Sequence, residues 1–189
     1  MEYSQIICLL TIARKEVIRF FKLWSQTIIP PIITTSLYFV IFGTFISKQM
    51  QKTEGFEFID FITPGLIMMS VISSSYINVC SSFFIVKFQR SIEEIFVSST
   101  KSHTIIIGYI SGGIIRAFVV SMLLLIIAFY FTSMTVKYPF MFIGIVFLTS
   151  ILFSLAGLTN AICANKFDDI NIVPTFILTP LSYLGGIFY

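Results

Sequence analysis

Along the chain, long runs nearly free of charge alternate with short polar stretches. The apolar runs cover 28–47, 61–86, 104–133, 139–163 and 172–189, and only Arg116 interrupts them with a charge. About 20 residues at helical rise match the hydrocarbon thickness of a bilayer, so the pattern predicts five membrane segments, the last barely long enough. Pro30 and Pro31 fall near the start of the first segment, where missing amide donors matter least. The second segment opens with Thr63-Pro64-Gly65 and carries Ser73, Ser74, Ser75, Ser81 and Ser82, small hydroxyl residues that favour close helix contact.

Residues 6–24 follow a different rule. Ile6, Leu10, Ala13, Val17, Phe20, Phe21 and Trp24 recur at helical spacing, with Lys15, Glu16, Arg19 and Lys22 on the opposite face. The spacing predicts an amphipathic helix over 1–25 lying in the headgroup plane, the alternative being a surface helix packed on other protein. Residues 87–103 are amphipathic too: Phe88, Ile92, Ile95 and Phe96 project on one side, and Lys87, Arg90, Glu93, Glu94 and Lys101 on the other. Carboxylates are repelled by an anionic membrane surface, so that polar face points to a protein partner, a simple interfacial helix being the alternative.

Composition fixes the class as all-α, a polytopic membrane helix bundle forming one domain over 1–189. Of its residues 57% are hydrophobic and 11% charged, about half the charged share of a soluble domain. The net charge of +3 is too small and scattered for nucleic acid. Its distribution sets orientation instead: Arg14, Lys15, Arg19, Lys22, Lys87, Arg90, Lys101 and Lys166 fall on one side, against Lys48, Lys52 and Lys137 on the other. The N-terminus is therefore expected in the cytoplasm. An uncleaved start is expected as well, because Arg14, Lys15 and Arg19 stand where a signal peptide needs small residues.

Little in the chain can do chemistry. No G-x-x-x-x-G-K-[ST] pattern cradles nucleotide phosphates, so ATP-driven work needs another chain. The one histidine, His103, ends a polar loop, and no paired carboxylates accompany it; neither an enzyme nor a catalytic residue is expected. Cys8, Cys80 and Cys163 lie far apart and read as small apolar residues, with no metal or cofactor implied. Every acidic residue falls outside the spans, Asp60 at a boundary, so proton or sodium coupling has no residue to act through.

Arg116 has three readings. If the true span starts near Ile114, residues 104–113 form a connecting helix and Arg116 snorkels to headgroups. It could instead line a route for an anionic substrate, or sit in a structural ion pair. Gly108 with Gly112, and Gly157 with Ala161, have the small-xxx-small spacing that lets helices approach, within or between subunits.

The stretch K-F-Q-R-S-I-E-E-I-F-V-S over 87–98 resembles the segment after the second span of ABC-2 type transporter permeases. Upstream, Trp24-Ser25-Gln26-Thr27 with Pro30-Pro31, and Thr63-Pro64-Gly65-Leu66-Ile67-Met68-Met69, are similar to that family's first and second spans. Downstream, Asn160-Ala161 with Lys166-Phe167-Asp168-Asp169-Ile170, Pro174-Thr175-Phe176 and Thr179-Pro180-Leu181-Ser182-Tyr183-Leu184-Gly185-Gly186 continue the likeness.

The resemblance implies the permease subunit of an ATP-binding-cassette exporter (the type 2 exporter fold) in the bacterial inner membrane, forming a homodimer and recruiting a separate ABC ATPase. Six spans would be the family's number, with five present here and the sixth lying beyond Tyr189. The family's coupling helix would map onto 91–101, including Ser91, Ile92, Glu93, Glu94, Ile95 and Phe96. Glu93 and Glu94 would face the ATPase, Phe88, Ile92 and Phe96 would hold the helix to the bundle, and the helix over 6–24 would be the interface helix. The alternatives are a non-transporting assembly or anchor protein and a non-functional truncated permease. ABC-2 permeases handle polysaccharides, lipids and drugs, and the aromatic content of 16% favours none of them.

Overall fold

The computed structural model describes residues 2–42, 58–97, 100–132 and 137–187, and every regular element among them is helical. In order these are α1 (Glu2–Lys22), α2 (Trp24–Val40), α3 (Phe58–Phe88), α4 (Ile92–Val97), α5 (Ser102–Phe131), α6 (Pro139–Cys163), α7 (Phe167–Val173) and α8 (Thr179–Ser182). Wider π-helical turns at Pro174–Leu178 and Tyr183–Ile187 flank α8.

Three of these helices, α3, α5 and α6, are long and apolar enough to cross a bilayer. They fall where the apolar runs predict, and α6 has the expected bounds, with Pro139 pre-set for its first turn. The other two expected spans differ. The run over 28–47 starts earlier, at Trp24, and its residues 43–47 lie outside the described residues. The last run is helical over 167–187, but Pro174 and Pro180 lack the amide a regular ladder requires. Around Pro174 the ladder widens, and the Thr179 amide and hydroxyl both donate to the Pro174 carbonyl, the hydroxyl at 2.9 Å.

Side-chain contacts fix the helix directions. Phe83 meets Tyr109 and Val79 lies at Gly113, so α3 and α5 are antiparallel. Tyr76 lies at Gly157, Cys80 at Asn160 and Lys87 at Ala164, so α3 and α6 run the same way. The terminal run begins with Phe167 against Phe84 and Phe88, and ends with the Tyr183 hydroxyl 3.0 Å from that of Tyr38 on α2. It therefore rises along the bundle opposite to α3.

Small residues make the close approaches. A Cβ at Gly157 would lie 2.5 Å from the Tyr76 carbonyl oxygen, and Gly113 is enclosed by Ser154 and Val79. The two small-xxx-small pairs thus work within the subunit: Gly157 and Ala161 seat α6 on α3, and Gly108 and Gly112 receive α1. Large apolar side chains such as Ile126, Phe140, Leu148 and Phe176 are exposed on the outside, as a lipid-facing surface requires.

Candidate functional site

Two polar constructions stand out against this apolar bundle. The first is the end where α3, α4, α6 and α7 meet. Helix α3 stops at Arg90, whose φ of 59° places a residue with a Cβ in the left-handed region that glycine usually fills. The reversal starts α4, six residues long, with Glu93 and Glu94 exposed in its first turn. Ser91 lies in the turn, and Ile92 packs partly on the cluster around Phe84 and Ile170. The side chains of Ile95 and Phe96, the latter expected to hold this helix to the bundle, lie outside the described residues.

Phe88 is exposed, but its ring centroid lies 4.8 Å from that of Phe167, which also packs edge-on against Phe84. Lys87 binds the same end together by donating to the carbonyls of Ile162 at 2.6 Å and Ala164 at 2.7 Å. A cation there satisfies acceptors that the end of α6 leaves open and complements its dipole. In the following turn, the amides of Asn165 and Lys166 donate to Asp169, each at 2.9 Å, and hold its carboxyl below the usual carboxylate range. His103 is exposed at the start of α5, and among the described residues no three potential metal ligands cluster.

The second construction is buried. Helix α1 lies along the first half of α5, running the same way. The Gln5 side chain accepts from the Lys101 amide and the Thr104 hydroxyl, Ile12 covers Gly108, and Glu16 covers Gly112. Of the residues assigned to the polar face, Lys15 and Lys22 are exposed, whereas Glu16 is buried and Arg19 half-buried. Glu16 is 1% exposed, while Ile6, Leu10, Phe21 and Trp24 point outward.

Polar partners make that burial tolerable. The Ser82 hydroxyl donates to Glu16 Oε1, and Arg19 Nη2 pairs with Glu16 Oε2 at 3.1 Å. Arg19 Nη2 also donates to the carbonyl and side-chain oxygens of Asn78, both at 2.9 Å. An ion pair with several hydrogen bonds is the arrangement that offsets desolvation, and deleting one partner of such a pair costs about 3–5 kcal/mol. Sequence reasoning missed Glu16, Arg19, Asn78 and Ser82 as a unit. The available signal was Glu16-x-x-Arg19 one turn apart on a helix whose most apolar residues could face lipid.

Arg116 lies at the midpoint of α5, which continues unbroken through the stretch expected as a separate connecting helix. It is 9% exposed and lines a cavity of about 340 Å³ between α2, α3 and α5. Hydroxyls of Thr34, Thr35, Ser70, Ser73 and Ser74 share the wall with Pro30, Pro31, Met69 and Gln26. Among the described residues Arg116 has no ion pair, and its buried Nε has no hydrogen-bond partner. Leaving a guanidinium so placed costs from about 2.5 to roughly 17 kcal/mol, depending on how much water or bilayer relaxation reaches it.

The described geometry therefore combines an exposed acidic turn at one end of the bundle with a buried basic cavity at its middle. Comparison with known proteins gives a consistent result. The family described as ABC-2 type transporter matches residues 8–189. Over 184 residues the chain is 50% identical to the inner membrane transport permease YadH of Escherichia coli strain K12, an overlap of 97% of this chain and 72% of the relative. The same figures hold for YadH of Escherichia coli O157:H7 and of Shigella flexneri. No solved structure matches the chain.

Proposed function

The chain belongs to the ABC-2 type transporter family of permeases, and from that premise we propose that it forms the translocation route of an ATP-binding-cassette exporter driven by a separate cytoplasmic ATPase. The observation that carries the reading is the family match over 8–189. The chain's own chemistry agrees with it, since no nucleotide-binding pattern is present to supply the energy.

In this reading α4 is the coupling helix. Its exposed Glu93 and Glu94 enter the ATPase, and it follows directly from the end of α3 that Lys87 ties to α6. Movement of the ATPase would thus reach two long helices through one short lever. Helix α1 is the interface helix beside it, and its basic Arg14, Lys15 and Lys22 are exposed where anionic headgroups would lie. The excess of Lys and Arg on that side supports a cytoplasmic N-terminus, and the name of the relative YadH supports the bacterial inner membrane. The rise of the 167–187 run from Phe88 toward Tyr38 supports a fifth pass, and two copies would enclose the route.

Co-expression with an ABC ATPase encoded beside this reading frame tests the proposal. The two are expected to purify together from membranes, with ATP hydrolysis faster in the reconstituted complex than in the ATPase alone. An ATPase that neither binds nor responds to the chain overturns it.

A further inference from the structure

Among the described residues, the charge on Arg116 has no counter-charge in contact with it. Glu16 and Arg19 neutralise each other at the α1–α3–α5 contact. On the same face of α3, one helical turn from Asn78, stands Ser74, which lines the cavity holding Arg116. Arg19 is near enough to act unfavourably on the Arg116 charge, and among the described residues no acid pairs with Arg116. The other buried carboxylate, Asp60, lies in the first turn of α3, more than two helical turns before Ser70. Around Arg116 one positive charge is therefore left unmatched among the described residues.

The cavity has the donors for a small oxyanion. The hydroxyls of Thr34, Ser70 and Ser74 donate back to the carbonyls of their own helices. The Thr35 hydroxyl lies 3.4 Å from that of Ser70 and the Tyr38 hydroxyl 3.0 Å from that of Tyr183, so the lining side chains whose donors are not committed within the bundle are those of Arg116, Gln26 and Ser73. Pro30, Pro31, Leu66, Met69 and Ile77 make the rest of its wall largely apolar, and Met69 is shared with a second cavity of about 240 Å³ lined by Met68, Ile72, Phe153, Leu178 and Leu181. A basic, donor-lined space beside an apolar one, inside a bundle with a lipid-facing exterior, matches a molecule with one anionic group and an apolar tail.

We propose that the Arg116 cavity binds the single negative charge of a membrane amphiphile, with the apolar part lying past Met69 toward the second cavity. The shared chemistry is a monoanionic oxyanion such as a phosphodiester. The site stands on Arg116, the cavity it lines and the apolar cavity next to it, and is independent of whether an ATPase drives the chain.

The test uses the purified full chain in a non-ionic detergent, following thermal unfolding during titration with phosphatidylglycerol, phosphatidylcholine of the same acyl chains, or inorganic phosphate. Phosphatidylglycerol is expected to raise the midpoint saturably and phosphatidylcholine to leave it unchanged. Phosphate alone should act only at concentrations on the order of a hundredfold higher, because it lacks the tail. Arg116→Gln should weaken the phosphatidylglycerol response by at least about tenfold, and Arg116→Lys should keep most of it. Should Arg116→Gln fail to fold, native mass spectrometry of the unmodified chain reads the same preference as retained phosphatidylglycerol over phosphatidylcholine. Equal responses to the two lipids, or an unchanged response in Arg116→Gln, overturn the proposal. Phosphate acting as well as phosphatidylglycerol overturns the amphiphile.

Discussion

Gly112 of α5 and Glu16 of α1 meet where no further atom fits: a Cβ at 112 would lie 2.7 Å from the Glu16 Cβ. The atom in the way is the root of a side chain, so a rotamer change cannot relieve the clash and the α1 backbone must move. Overpacking costs about 1–3 kcal/mol and the helix-propensity gain offsets up to about 1 kcal/mol of it, so Gly112→Ala is expected to destabilise the chain by up to about 2 kcal/mol. Gly144→Ala is the control, since nothing lies within 4 Å of a Cβ there. It should leave the thermal midpoint in detergent unchanged or slightly raised, and equal midpoints for the two variants would refute the close contact.

The Glu16–Arg19 pair makes a second prediction through a mutant cycle. Glu16→Gln keeps an acceptor for Ser82 but leaves Arg19 uncompensated; Arg19→Gln leaves a buried carboxylate with only a hydroxyl donor. Each single change is expected to cost about 3–5 kcal/mol, and the double change less than the sum, because the second removes the charge the first stranded. Unfolding in detergent would read the four species. Additive losses would mean that the pair does not act as a unit.

These two contacts show what the sequence could and could not convey. Helix α6 was legible to the residue, because a run of apolar residues opened by Pro139 and closed before Lys166 has one helical solution in a bilayer. The glycine spacing at 108 and 112 was also legible, although its partner was not, since only packing brings Ile12 and Glu16 to those positions. On α1 the outward Ile6, Leu10 and Phe21 are what a face laid into lipid requires, but the inward position of Glu16 was not legible, because the pattern assigns it to the headgroup side whereas Ser82 and Arg19 offer it partners inside. The same holds for Arg116. Its isolation in an apolar run was visible, but the serines that surround it come from a helix some forty residues away in sequence. For the acidic turn, the exposed Glu93 and Glu94 agree with the amphipathic pattern over 87–103.

Lys87 provides a third prediction. Its ammonium is the tie between the end of α3 and the Ile162 and Ala164 carbonyls, and Phe88 beside it packs on Phe167. Lys87→Met keeps the stem and removes the donors. A loss of about 1–2 kcal/mol is expected, at the upper end for a cation at a helix C-terminus because the site is partly shielded. Hydrogen exchange should show the effect locally, as faster exchange of amides at the end of α6 and through α7. Unchanged exchange there would mean that the two helices are held by the phenylalanines alone.

The fourth prediction separates coupling from folding. Glu93 and Glu94 are exposed and have no ion pair among the described residues, so reversing their charge disturbs no packed contact of the chain. The double change Glu93→Lys with Glu94→Lys should alter stability by no more than about 0.5 kcal/mol, the usual range for exposed positions. If α4 enters the ATPase, the same change places two cations where two carboxylates docked, and charged pairs across an interface cost several kcal/mol when mismatched. Co-purification of the ATPase should then fall by more than tenfold, and stimulation of hydrolysis should be lost, while the thermal midpoint of the chain stays put. Arg14→Glu with Lys15→Glu on exposed α1 serves as the comparison. A similar loss from that variant would assign the docking charge to the interface helix, and undiminished ATPase binding by the Glu93, Glu94 variant would exclude α4 as the lever.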